Sequence, residues 1–96
     1  MDIQPLYTKI DKTIQVNAGV IALENPSGFP RNESNLYLLG HDGTILWKAE
    51  KPDVGTFFSR VRLNDDGETL SAYTIHGHAC ELELRTGKLI GFTSIQ

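Results

Sequence analysis

Apolar and polar side chains alternate with a period of two through much of the second half of the chain. From Phe57 to Leu63 the pattern sets Phe57, Ser59, Val61 and Leu63 against Arg60 and Arg62. From Ala79 to Leu84 it sets Cys80, Leu82 and Leu84 against Glu81 and Glu83. Successive side chains of a strand point to opposite faces, so both segments predict strands with one buried and one wet face. Leu36–Gly40 and Thr44–Ala49 are apolar on both faces, which predicts central strands covered from both sides. Leu70–Ile75 and Lys88–Ile95 complete that half. In the N-terminal third, Leu6–Ile10, Thr13–Val16 and Gly19–Leu23 each have the composition of a strand. No window sustains a 3.6-residue apolar period, so little or no helix is expected.

Turn signals separate these segments: Asp42-Gly43, Pro52-Asp53-Val54-Gly55, Asp65-Asp66-Gly67, His76-Gly77 and Thr86-Gly87. They recur roughly every ten residues, the rhythm of short antiparallel strands joined by hairpins. Asp-Gly suits such turns because glycine reaches positive φ without steric cost. The expected fold is one all-β domain over residues 1–96, an antiparallel β-sandwich or strongly curved sheet of about seven to nine strands. One segment breaks the rhythm. Asn25–Asn35 holds two prolines, a glycine and almost nothing apolar but Phe29, and reads as a long loop of the kind that often carries function.

Composition narrows the functions. Nine basic and twelve acidic residues give a net charge of −3, which argues against nucleic acid as a partner. Between Leu63 and Leu84 stand five acids, Asp65, Asp66, Glu68, Glu81 and Glu83, and no base. Such a stretch is either a solvated face or one that attracts basic partners. A lone cysteine, Cys80, excludes an internal disulfide. The start, Met-Asp-Ile-Gln-Pro, lacks the basic and apolar regions of a signal peptide. No run approaches the roughly 20 apolar residues that a membrane-spanning helix needs. A cytoplasmic protein without a membrane partner is the consistent expectation.

Aligning Gly43 with Gly87 exposes an internal repeat at an offset of 44 residues. Leu36–Trp47 matches Cys80–Gly91, each unit a strand, a tight turn ending in glycine, and a second apolar strand. At these residues the chain resembles blades of the pyrroloquinoline-quinone-type and WD40-type β-propellers, whose period is similar. The resemblance implies propeller-blade-like units. The WD dipeptide is missing, and two blades cannot close a ring, which takes at least about four. A propeller would therefore require several chains and association of copies. No ligand-binding residue of those families maps onto this sequence.

Candidate chemistry is thin. His76, His78 and Cys80 are residue types that bind metal, with His78 and Cys80 on one strand face. Structural zinc sites show paired ligand motifs that are missing here, and the parity of Cys80 groups it with Leu82 and Leu84 as a small buried hydrophobe. His41-Asp42 has no serine partner, and Asp65-Asp66-Gly67 lacks the further oxygens of a calcium loop. The residues point to no catalytic group and no cofactor. What remains is a surface. The expectation is a non-enzymatic protein-binding protein, such as an immunity protein that blocks the active site of a basic toxin. Its candidate contacts are Phe29, Arg31 and Glu33 in the loop, with Asp65, Asp66, Glu68, Glu81 and Glu83 on the acidic stretch. The alternatives are a propeller-like module that works through oligomerisation and a small-ligand or metal-binding β protein.

Overall fold

A computed structural model describes residues 3–94, and among them it holds eight strands and no helix. The strands are β1 (Ile10–Val16), β2 (Gly19–Glu24), β3 (Leu36–Gly40), β4 (Ile45–Lys48), β5 (Phe58–Leu63), β6 (Thr69–Thr74), β7 (His78–Glu83) and β8 (Leu89–Ser94). They form two four-stranded antiparallel meanders, ordered β1-β2-β3-β4 and β5-β6-β7-β8. The sheets meet face to face as a sandwich-like fold. The radius of gyration, 12.3 Å, agrees with the roughly 12–13 Å of a single domain of this length.

The shared core follows from strand parity. The first sheet contributes Ile21, Leu23, Leu36, Leu38 and Trp47, and the second contributes Phe58, Val61, Leu70, Ala72, Cys80 and Leu82. Cys80 and Leu82 lie inward, with Leu84 packed against the cluster, as the alternation predicts. The repeated hairpins occupy equal places: β3–β4 closes the first sheet and β7–β8 closes the second. Gly43 and Gly87, aligned by the repeat, both adopt positive φ, +88° and +73°. Gly87 has a second constraint. A Cβ there would lie 2.4 Å from the Trp47 ring, which packs flat against its backbone.

Two expectations are corrected. Phe57–Leu63 does not keep one parity, because the register slips between Phe58 and Arg60. The bulge at Ser59 turns Phe58 into the core beside Val61, leaves Ser59 exposed, and sends Phe57 to the opposite side. Thr44–Ala49 is not a central strand. It supplies β4, the short outer strand of the first sheet, where Ile45 and Leu46 are exposed and Leu46 sits at a register slip. The apolar run there covers less than its composition suggests.

In the N-terminal third, Leu6–Thr8 forms no strand but a strap across the first sheet. Of the expected segment Lys88–Ile95, Ile95 lies outside the described residues.

Polar stitches fix one sheet against the other. The Asn35 carboxamide is fully buried and takes part in three hydrogen bonds. Its Nδ2 donates to the carbonyls of Glu24 and Phe58, each at 2.7 Å, and its Oδ1 accepts from the Phe58 N–H at 2.9 Å. One side chain thus pairs with the end of β2 and with both polar groups of the first residue of β5. Lys12 Nζ donates to the Val61 carbonyl at 2.8 Å, and Trp47 Nε1 donates to the Leu84 carbonyl at 2.9 Å. Truncating Asn35 strands a buried N–H and two carbonyls, and each unsatisfied buried group costs about 1–3 kcal/mol. Asn35→Ala is expected to lower the unfolding free energy by about 3 kcal/mol, read as a lower urea midpoint at unchanged slope.

Candidate partner-binding surface

The β5–β6 turn is held by its own side chains. Asp66 Oδ1 accepts from the N–H groups of Glu68 and Thr69 at 2.8 and 3.0 Å, and Oδ2 accepts from the Thr69 hydroxyl at 2.8 Å. Those bonds hold the Asp66 carboxyl below the usual aspartate range. Asn64 donates to Thr69 Oγ1 and accepts from Ser71 Oγ, and the Leu84 N–H donates to the Glu68 carbonyl. The turn is therefore anchored to β6 and to the end of β7. From this frame Asp65 and Glu68 project into solvent.

The ladder pairs Thr69 with Glu83 and Ser71 with Glu81, so the β7 acids stand on the outer face beside the same turn. All five acids of the stretch are exposed. Glu83 accepts from Thr86 Oγ1 at 2.7 Å. Arg62 shares a row with Glu81 but has Ser71 between them. Among the described residues the salt bridge found is Lys48–Glu33, at 2.7 Å, so the five carboxylates face solvent without a basic partner.

The loop residues lie elsewhere. Phe29 is only 4% exposed, wedged edge-on between Tyr7 and Phe57 with ring centroids 5.1 and 5.8 Å away. It is a core residue of the loop, because the rings of Tyr7 and Phe57 close over it, with Lys51 Nζ seated 4.7 Å above the Phe57 ring. It cannot serve as an exposed contact. Arg31 is exposed, with its carbonyl accepting from Lys51 Nζ at 3.0 Å, and Glu33 is the acid paired with Lys48. The loop packs beside Phe57 and the start of β5, whereas the acidic turn follows its end. Five strand steps separate these ends, about 17 Å. The two candidate groups therefore do not form one continuous patch.

The histidines and cysteine do not converge either. His76 Nδ1 lies 2.8 Å from Thr56 Oγ1, and His78 Nδ1 lies 3.1 Å from Thr74 Oγ1, with its ring edge-on to Phe92. Cys80 is buried in the core, and burial pushes its thiol up. His41 contacts the Asn17 carbonyl, while Asp42 accepts from Thr44 as a turn residue. No group of three metal-ligating side chains exists among the described residues.

The most elaborate polar site was missed by sequence reasoning. Glu24 is fully buried at the end of β2, and its carboxylate collects the N-terminal strap. Oε1 accepts from the N–H groups of Tyr7 and Thr8 at 3.0 and 2.8 Å, while the Thr8 hydroxyl, 3.3 Å from Oε1, donates to the Asn25 carbonyl at 2.7 Å. Oε2 accepts from the Leu6 N–H at 2.6 Å and from the Tyr37 hydroxyl. Three backbone N–H groups and the Tyr37 hydroxyl fill the four lone-pair positions of the two oxygens, leaving none for a substrate. The only hint in the sequence was an acid closing the apolar run Val20–Leu23.

A family model matches residues 4–93, from the strap through β8. The chain belongs to the family described as a domain of unknown function, DUF7957. The match spans the strap and both sheets together, so the sandwich is the family's unit rather than either sheet alone. No curated protein and no solved structure matches the chain significantly.

The saturated carboxylate makes stability depend on pH. Desolvation pushes the Glu24 carboxyl up, but the bonds from Tyr37, Thr8, Leu6 and Tyr7 outweigh it and hold the group below the usual glutamate range. A depressed folded-state value stabilises the fold above the ordinary glutamate pKa, and this is lost as pH falls through the folded value. Glu24→Gln turns donors onto donors. It is expected to cost about 3 kcal/mol at neutral pH and to flatten the acid limb, measured by urea unfolding across the acid range. An acid limb as steep as that of the unchanged protein would contradict the assignment.

Proposed function

We propose that this chain is a non-enzymatic, cytoplasmic protein-binding protein, and that it neutralises a basic toxin in the manner of a bacterial immunity protein. The observation that carries this reading is the set of five exposed, unpaired carboxylates on a turn and strand locked by their own hydrogen bonds. A fixed field of one sign steers an oppositely charged protein and speeds its encounter. The other strongly polar groups, Glu24 and Asn35, are consumed within the fold. They leave the surface, not an interior site, to make contact with a partner.

A second reading is favoured by one edge. β1 carries Asp11 and Lys12, β4 is four residues long with Lys48, and β5 carries Arg60 and Arg62. Charges and short lengths of this kind protect edges from pairing. The outer strand β8, Leu89–Ser94, carries no charge, and Ile90 and Phe92 are exposed on it. Pairing of β8 with another copy would create the propeller-like assembly that the repeat suggests. Sedimentation decides this: an oligomer returned to monomer by Phe92→Lys supports it, and a stable monomer contradicts it.

For the first reading, Asp65, Glu68 and Glu81 are the residues to reverse, since Asp66 also holds the turn. The probe is a candidate basic toxin, co-expressed with this chain and titrated over a range of salt concentrations. The triple lysine variant is expected to bind at least about ten-fold more slowly at low salt, with a flatter salt dependence. Unchanged affinity and salt dependence would contradict the acidic-face reading.

A further inference from the structure

At one end of the sandwich an open groove of about 500 Å³ runs between the two sheets. Its apolar walls are Val16, Leu38 and Leu46 from the first sheet, with Leu63 and Leu84 from the second. Val16 and Leu84 pack against the core on one side only, and Leu46 and Leu63 stay 52% and 36% exposed. The volume is that of a small-molecule site, roughly 300–1,000 Å³. Gln15 and Asn17 bring carboxamides to the rim, and Arg85 is the one charged residue on the lining. The lip that carries Arg85 is pinned. The Leu84 N–H donates to the Glu68 carbonyl at 3.0 Å, and the Leu84 carbonyl accepts from Trp47 Nε1 at 2.9 Å. Glu68 and Glu83 line a separate cavity beyond that rung, which Arg85 also borders. Among the described residues Arg85 forms no salt bridge with either acid.

We propose that this groove binds a small amphipathic monocarboxylate, its hydrocarbon body between the sheets and its carboxylate on the Arg85 guanidinium. The site goes beyond the partner surface and does not depend on a basic toxin. Charge complementarity selects the head group. A guanidinium presents a planar fork that matches a carboxylate with two parallel hydrogen bonds. One cation on the lining balances one negative charge. A phosphate monoester carries nearly two, and its excess charge would stand near Glu68 and Glu83. A cationic ligand would place its charge against Arg85 with no acid on the lining to receive it. The five aliphatic walls select the body, because each buried methylene contributes about 0.8 kcal/mol. The bonds on both sides of Leu84 hold the groove in shape before a ligand enters, which lowers the ordering cost of binding.

The probe is octanoate, titrated below its micelle concentration into ¹⁵N-labelled protein and followed by amide chemical shifts. The expected shifts fall on Val16, Leu38, Leu63, Leu84 and Arg85. Acetate, which has the head group without the chain, is expected to bind at least about a hundred-fold more weakly. Arg85→Met keeps an apolar stem and removes the charge. It is expected to weaken octanoate by at least about ten-fold while leaving the binding of octanol unchanged. Leu46→Asn, at an exposed edge position, is expected to weaken octanoate and octanol together while the spectrum stays folded. Octanol binding the unchanged protein as tightly as octanoate would overturn the carboxylate assignment. Acetate binding as tightly as octanoate would reduce the site to an ion on Arg85 and overturn the groove. Octanoate shifts that are absent, or that fall away from the groove and ignore both variants, would also overturn it. None of these results bears on charge reversal of the acidic face, which judges the basic-partner reading separately.

Discussion

The carboxamide of Asn35 does between the two sheets what a ladder rung does within one. Its donor and acceptor copy the backbone pattern of a strand, so Phe58 is paired on both polar groups before β5 has a neighbour on that side. The same residue is tied to Glu24 through side chain and main chain, since Glu24 N–H donates to the Asn35 carbonyl at 2.8 Å. Glu24 in turn gathers the strap with its carboxylate. One buried cluster therefore connects the strap, the first sheet and the second. A thin core leaves little margin in a chain of this size, so the alignment of its two halves depends on such satisfied contacts.

The acidic end depends on that alignment. Asn35 acts at the start of β5, and β5 runs from there to the turn that carries Asp65, Asp66 and Glu68. At the far end, Trp47 Nε1 reaches the Leu84 carbonyl and the Glu50 N–H reaches the Gly87 carbonyl, so the second sheet is held at both ends.

Strand identity and spacing were readable in the sequence because period-two alternation and Asp-Gly turns are local signals. The inward parity of Cys80 and Leu82 followed from the same rule. Other features were not local. The Ser59 bulge depends on how Phe58 and Thr74 pair across β5 and β6, which no single segment specifies. The outer position of β4 depends on where the second sheet begins, so its apolar composition misled. Phe29 was drawn inward by Tyr7 and Phe57, residues distant from it in sequence. Glu24 and Asn35 look like ordinary strand-end and loop polar residues until the strap and β5 surround them. The acidic stretch was legible as composition, but its separation from the loop required the direction of β5.

Native-state hydrogen exchange at the Phe58 amide tests the central claim most directly. That N–H is buried and donates only to the Asn35 side chain. If Asn35 locks the sheets together, it exchanges only through global unfolding, with the same free energy and denaturant slope as the Leu70 and Leu82 amides of the second sheet's interior. Exchange of Phe58 through a smaller, denaturant-independent opening, while Leu70 and Leu82 stay protected, would show that the sheets separate without unfolding and would contradict the account.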